Sequence, residues 1–222
     1  MRKYFNYQYV ITLVRTEEYV AFDQVNSKAY SIEYLTLLQT ICSEIDAVSK
    51  TILSHFDSDF KTRDIGILKW GYEIQKHFPN ITSKDVMFVR AYKIIPWKNW
   101  TIEERLDKNN KIYLAYAEGC GSPDWWKAYT AVKHARTAVD DGRVNYHRAN
   151  QKNVIDALAA LYVLHRMMIH TLDENEYLIM DKSTLYRMIG WNDELKTQFG
   201  VDDKGRAYIV CEDRDGEKDE KT

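Results

Sequence analysis

Residues 153–164 read NVIDALAALYVL, and every residue from Ala157 to Leu164 is apolar. Val154, Ile155, Ala157, Leu158, Leu161, Tyr162 and Leu164 make a predicted helix over 150–171 apolar almost all round. A helix without a polar face cannot lie on a surface, so it belongs at the centre of a bundle. Ala159 and Ala160 offer places where a neighbouring backbone can come close. The apolar run is far too short to span a bilayer, so no membrane association is expected.

Partners for such a helix are readable nearby. Ser31 is a good N-cap, and Tyr34, Leu37, Leu38, Ile41, Ile45, Val48 and Ile52 fall on one stripe, which predicts a helix over 31–54. Tyr9, Leu13 and Tyr19-Val20 predict a first helix over 6–22. Residues 64–77, DIGILKWGYEIQKH, predict a shorter one that ends at Phe78-Pro79-Asn80. The sequence holds only three prolines and nine glycines, which leaves long stretches free of breakers. Residues 86–97, VMFVRAYKIIPW, are β-leaning and predict a short extended segment. Residues 98–121 predict a loop or excursion with a turn at Asn109-Asn110. Asp124 is expected to cap a helix running to Val139, where Asp140-Asp141-Gly142 stops it. After Thr171, the stretches 177–180, 184–190 and 205–211 lean towards β. The expected fold class is therefore mainly α: an antiparallel helical bundle over 1–172, a small C-terminal β appendage over 173–211, and a disordered acidic tail over 212–222.

Net charge is −2, which excludes a uniformly basic nucleic-acid binder. The charge is uneven, however. Residues 125–152 carry Lys127, Lys133, Arg136, Arg143, Arg148 and Lys152 against Asp140 and Asp141, and that patch can meet an anion. Cys42, Cys120 and Cys211 are far apart and odd in number, which reads as reduced thiols in a cytoplasmic protein. The opening MRKYFNYQY has no apolar signal core. No GxSxG occurs and no cysteine stands beside a histidine, so nucleophilic catalysis has no carrier.

The richest stretch is WWKAYTAVKHARTA, residues 125–138. On a helical wheel Trp125, Ala128, Tyr129, Val132 and Val139 share one apolar arc, with Arg136 inside it and Lys133 at its edge. An arginine in an apolar arc needs a partner. Glu44, at the edge of the stripe on helix 31–54, is expected to be half-buried and to pair with Arg136 or Lys133. Asp46 and Lys50 are expected to form an ordinary surface pair. His134 points almost opposite Trp125. The cations around it, with Arg143 and His147 downstream, favour an anion over a metal, and no ligand spacing leads from His134 to a second donor. No metal and no cofactor are expected. His165 and His170 read as packing or surface residues.

SEIDAVSK (43–50), Pro96-Trp97, WWKAYTAVKHAR (125–136) and NVIDALAALYVL (153–164) together resemble the HEPN superfamily of helical nucleotide-binding domains, over roughly residues 30–170. The resemblance implies an antiparallel helical bundle, usually a homodimer. Many members are metal-independent ribonucleases in toxin–antitoxin, CRISPR and phage-defence systems, in some of which a cognate protein partner is implied. Their motif sets an Arg and a polar residue ahead of a His on one helix. The His is His134 here, but the Arg and polar positions fall on Tyr129 and Thr130, so the ribonuclease motif is degenerate. The resemblance implies a domain that binds RNA or a nucleotide, with His134 as the candidate catalytic group. Tyr129, Lys133, Arg136, Arg143 and His147 are the candidate anion contacts, Tyr129, Lys133, His134 and Arg136 are expected to line a cleft across a dimer interface, and Glu44 is the supporting carboxylate. A non-enzymatic scaffold and an active ribonuclease are the alternatives.

Overall fold

The computed structural model of the chain describes residues 5–63, 65–88, 92–140, 142–172, 185–188, 196–201 and 207–212. It is mainly α with a smaller β portion. The helices are α1 (Phe5–Thr16), α2 (Ile32–Phe56), α3 (Ile67–His77), α4 (Asp124–Ala135) and α5 (Gln151–Leu172). Among the described residues, no helix is long and apolar enough to cross a membrane.

α2 starts where its cap predicts. The Ser31 Oγ accepts from the Tyr34 amide at 3.0 Å, filling one of the amide positions that a helix start leaves unpaired. Its stripe is buried from Tyr34 to Leu53. α5 is capped the same way, with the Asn150 Oδ1 accepting from the Asn153 amide at 3.0 Å. Every residue from Ala157 to Leu164 is buried, and α5 packs most extensively against α2. At the alanines it is a side chain that meets the helix: the Trp97 indole N–H donates to the Ala160 carbonyl at 3.3 Å.

α1 stops six residues short of the expected 22. Backbone amides of residues 17–20 bond back to carbonyls of residues 14–16, and the Thr16 hydroxyl donates to the Leu13 carbonyl. The chain then turns so that Phe22 meets Phe88 edge to face at 5.5 Å. The segment at 86–97 holds two strands, β1 (Val86–Phe88) and β2 (Tyr92–Ile94), paired antiparallel. The expected excursion is a hairpin of β3 (Ile102–Leu106) and β4 (Ile112–Tyr116). Its turn falls at Asn109-Asn110: Asp107 Oδ1 accepts from the amides of Asn109 and Lys111, and Asn110 takes φ +60°. Most of the hairpin's side chains face water, so no buried alternation marks it in the sequence.

Further along, β5 (Val139–Asp140) pairs with β6 (Arg143–Val144) around Gly142, whose φ of +70° suits a residue without a Cβ. In the expected appendage, β7 (Tyr186–Met188) hydrogen-bonds to β1 and so joins the same sheet as β2. β8 (Lys196–Val201) and β9 (Ala207–Glu212) form a separate hairpin. The stretch 177–180 and the tail beyond 212 lie outside the described residues.

Trp70, Trp97, Trp100, Trp125 and Trp126 meet in one cluster, with neighbouring ring centroids between 4.3 and 6.3 Å. The Trp125 indole N–H donates to the Pro96 carbonyl at 2.8 Å. Gly71 makes room for it, since a Cβ there would run into the Trp100 ring. The cluster ties α3, the 96–100 turn and the start of α4 together.

Candidate functional site

The predicted site lies at the C-terminal end of α4, which is shorter than its sequence suggests. It ends at Ala135 instead of Val139 because a later segment captures its last carbonyls. The buried Asn145 donates its side-chain N–H to the Ala135 carbonyl at 3.0 Å, and the Asn145 amide donates to Ala138. The Tyr146 amide donates to the Arg136 carbonyl at 3.0 Å. At the other end Pro123 occupies the N-cap position and Asp124 is the first helical residue, so Asp124 is not the cap.

This folding-back brings most of the predicted site residues together. Lys133 and His134 stand in the last turn, Arg136 is the C-cap, and Arg143 lies on β6, which the same hydrogen bonds hold against the helix end. All four side chains are exposed, and none forms an ion pair within the described residues. Tyr129 is buried at 7% exposure, packs on Trp126 at 5.2 Å, and carries the Lys133 ammonium 5.3 Å from its ring centroid. His147 is half-buried and stacks on Tyr30 at 4.1 Å, while Tyr30 keeps 48% of its surface exposed. Arg148 is taken up by Asp140 and Asn145.

Two expectations are overturned. Arg136 does not sit in a buried apolar arc: it keeps helical backbone angles as the C-cap, but burial on that face ends at Val132 and its side chain is exposed. Glu44 is half-buried as expected but pairs with neither Arg136 nor Lys133 among the described residues. The rings of Tyr30 and Tyr146 meet at 5.6 Å, which sets the end of α4 beside the start of α2. Glu44 stands thirteen residues further on, about 20 Å along the α2 axis. It faces Tyr9 of α1 instead. Burial raises the Glu44 carboxyl, and burial together with Glu44 raises the Tyr9 hydroxyl. The Asp46–Lys50 pair forms at 2.7 Å, as read from the sequence. The buried His165 is pulled down to about 4 by desolvation, which fits a packing residue.

The sequence reading missed a second place, at the N-terminal end of α4. One cleft of about 520 Å³ opens between Gln24, Tyr92 and the start of α5. Another of about 440 Å³ lies over residues 119–124 and Lys127. Ile95, Lys98, Lys152 and Asp156 line both, so the two run together. None of Tyr129, Lys133, His134 and Arg136 lines either of these two clefts. Asp156 sits at the shared wall with 15% of its side chain exposed and pairs with Lys152. Desolvation raises its carboxyl above the ordinary range against the pull of Lys152. Burial, with Asp156 nearby, pushes the Tyr92 hydroxyl up to about 12. The sequence signal was Asp156 itself, the one acid inside an otherwise apolar helix run.

Among the described residues, no group of three His, Cys, Asp or Glu side chains stands close enough to hold a metal ion. Comparison of the chain with protein-family models, curated proteins and solved structures finds no match.

Proposed function

We propose that this chain is an antiparallel helical bundle that binds single-stranded RNA at the C-terminal end of α4 without cleaving it. The observation that carries the reading is the grouping of Lys133, His134, Arg136 and Arg143 on one exposed end, where none of them forms an ion pair among the described residues and Asp140, across from Arg143, is committed to Arg148. Cations without local partners are available to phosphates, and charge-assisted contacts of that kind are strong and sensitive to salt. The helix dipole does not help here, since a C-terminus repels anions, so the side chains must supply the attraction. The half-exposed Tyr30, stacked on His147 beside this end, offers an aromatic face to an unpaired base.

Binding is favoured over cleavage for a geometric reason. Activating a ribose hydroxyl needs a general base held in a fixed orientation. His134 is exposed and has no hydrogen bond or ion pair within the described residues to orient its ring. A second reading, a non-enzymatic interaction module, is favoured by the packing of Trp125 and Tyr129, which commits the aromatic half of the motif to the core.

Fluorescence anisotropy of a labelled single-stranded RNA tests the reading. The chain is expected to bind at about 50 mM salt and to weaken steeply by about 200 mM. Combining Lys133→Ala, Arg136→Ala and Arg143→Ala is expected to lower the salt slope by roughly 2, at about 0.7 per lost contact to a single strand. No binding at the lower salt, or an unchanged slope in the triple variant, overturns RNA binding in favour of the interaction module.

A further inference from the structure

The joined cleft at the other end of α4 has a different chemistry, and it depends on none of the residues assigned to RNA. Its charges are nearly matched one to one. Lys152 pairs with Asp156, Lys127 pairs with Asp124 at 3.2 Å, and Lys93, which also lines the first cleft, pairs with Asp85 outside the lining. Lys98 is left over: it is exposed, lines both clefts, and has no carboxylate partner within the described residues. Lys127 and Lys152 are each more than half exposed, so their ammonium groups can still reach into the cleft. One wall therefore carries a surplus positive charge with two further ammonium groups close by, which suits a dianion.

Asp156, one turn from Lys152 on α5, gives the same cleft an acceptor. Asp156 is mostly buried and only one of its oxygens is engaged by Lys152. A carboxylate in that position accepts from a ligand hydroxyl. Tyr92, Ile94 and Ile95 supply an apolar side against which a carbon skeleton can lie. Gly119 and Gly121 leave open space where side chains would stand, which keeps the floor over α4 accessible. Each cleft falls in the volume range of small-molecule sites, roughly 300–1,000 Å³.

We infer that this joined cleft binds a small phosphorylated polyol, of the size of a sugar phosphate, with the phosphate against Lys98 and Lys127 and a hydroxyl donating to Asp156. A free inorganic cation is repelled by Lys98, and a neutral sugar leaves that lysine unused. The two halves of the ligand thus answer the surplus lysine and the carboxylate of the cleft.

Isothermal titration calorimetry of the full chain tests this with ribose 5-phosphate, ribose and pyrophosphate. Ribose 5-phosphate is expected to bind at least about tenfold more tightly than ribose. Lys98→Met is expected to weaken both ribose 5-phosphate and pyrophosphate by about tenfold. Asp156→Asn removes the hydroxyl acceptor and frees Lys152, so it is expected to shift the preference from ribose 5-phosphate towards pyrophosphate. If Asp156→Asn fails to fold by circular dichroism, the exposed Lys98→Met variant still decides. Lys133→Ala with Arg136→Ala is expected to leave ribose 5-phosphate binding within about twofold, so failure of the RNA reading does not carry over. The inference is overturned if the chain binds neither phosphate, if Lys98→Met leaves both affinities unchanged, or if Lys98→Met impairs RNA alone.

Discussion

The start of α4 is anchored by buried aromatic rings, and its end is held by carbonyls that a later segment has captured. At the start, Trp125 is 2% exposed, donates to Pro96 and packs into the tryptophan cluster. At the end, the side chains face water and only the backbone is fixed, through Asn145 and Tyr146. Burial gives the first end a shaped cleft with a perturbed carboxylate. Exposure gives the second end cations that form no ion pair among the described residues. One twelve-residue helix therefore carries both ends, the one to which we assign a small ligand and the one to which we assign RNA, and they differ in what each is tied to.

The sharpest way to break this contrast is Trp125→Ala. Removing a buried indole from a packed core costs about 3–5 kcal/mol, to be read from urea denaturation. The loss is expected to open the cleft first, so ribose 5-phosphate binding fails while RNA binding persists in the folded fraction. Equal loss of both would mean that the ends are not independently anchored. Asn145→Ala works from the other side. It removes the bond to Ala135 and the one accepted from Arg148, and is expected to cost roughly 1–2 kcal/mol. Here RNA affinity should fall, and the cleft ligand should bind as before.

The smallest effect concerns pH. Asp156 titrates above its ordinary value in the folded chain, so the folded state holds its proton more tightly than the unfolded state does. Its stabilising contribution is full below the unfolded pKa and is lost as pH rises through the raised folded one. Asp156→Asn is therefore expected to flatten that segment of the stability–pH curve and to raise stability modestly at neutral pH. Variants at the far end, such as Lys133→Ala, should leave the curve unchanged. A curve that Asp156→Asn does not alter would mean that Lys152 fully offsets the burial.

What the sequence disclosed follows the same divide. Helix α2, its Ser31 cap, the all-round burial of α5 and the turn at Asn109-Asn110 were legible because each is set by residues a few positions apart. The Asp46–Lys50 pair was legible for the same reason. The end of α4 was not, because no breaker stands between Arg136 and Asp140 and the stop is imposed by Asn145 from ten residues away. The wheel put Arg136 in the buried arc, although burial on that face ends at Val132. It placed Glu44 at the right depth but gave it the wrong partner, since a wheel records angle and discards distance along the axis. The cleft stayed hidden because its walls come from four separated stretches, 24–27, 92–99, 119–127 and 152–156.

The five clustered indoles carry a practical consequence. Their rings lie close enough to exchange excitation, so ultraviolet light absorbed by one is emitted from the group as a whole. Five of the chain's six tryptophans thus act as a single lamp set at the root of α4. A melt followed by this emission would register the root coming loose and stay dark to fraying at the tip, which needs a reporter of its own.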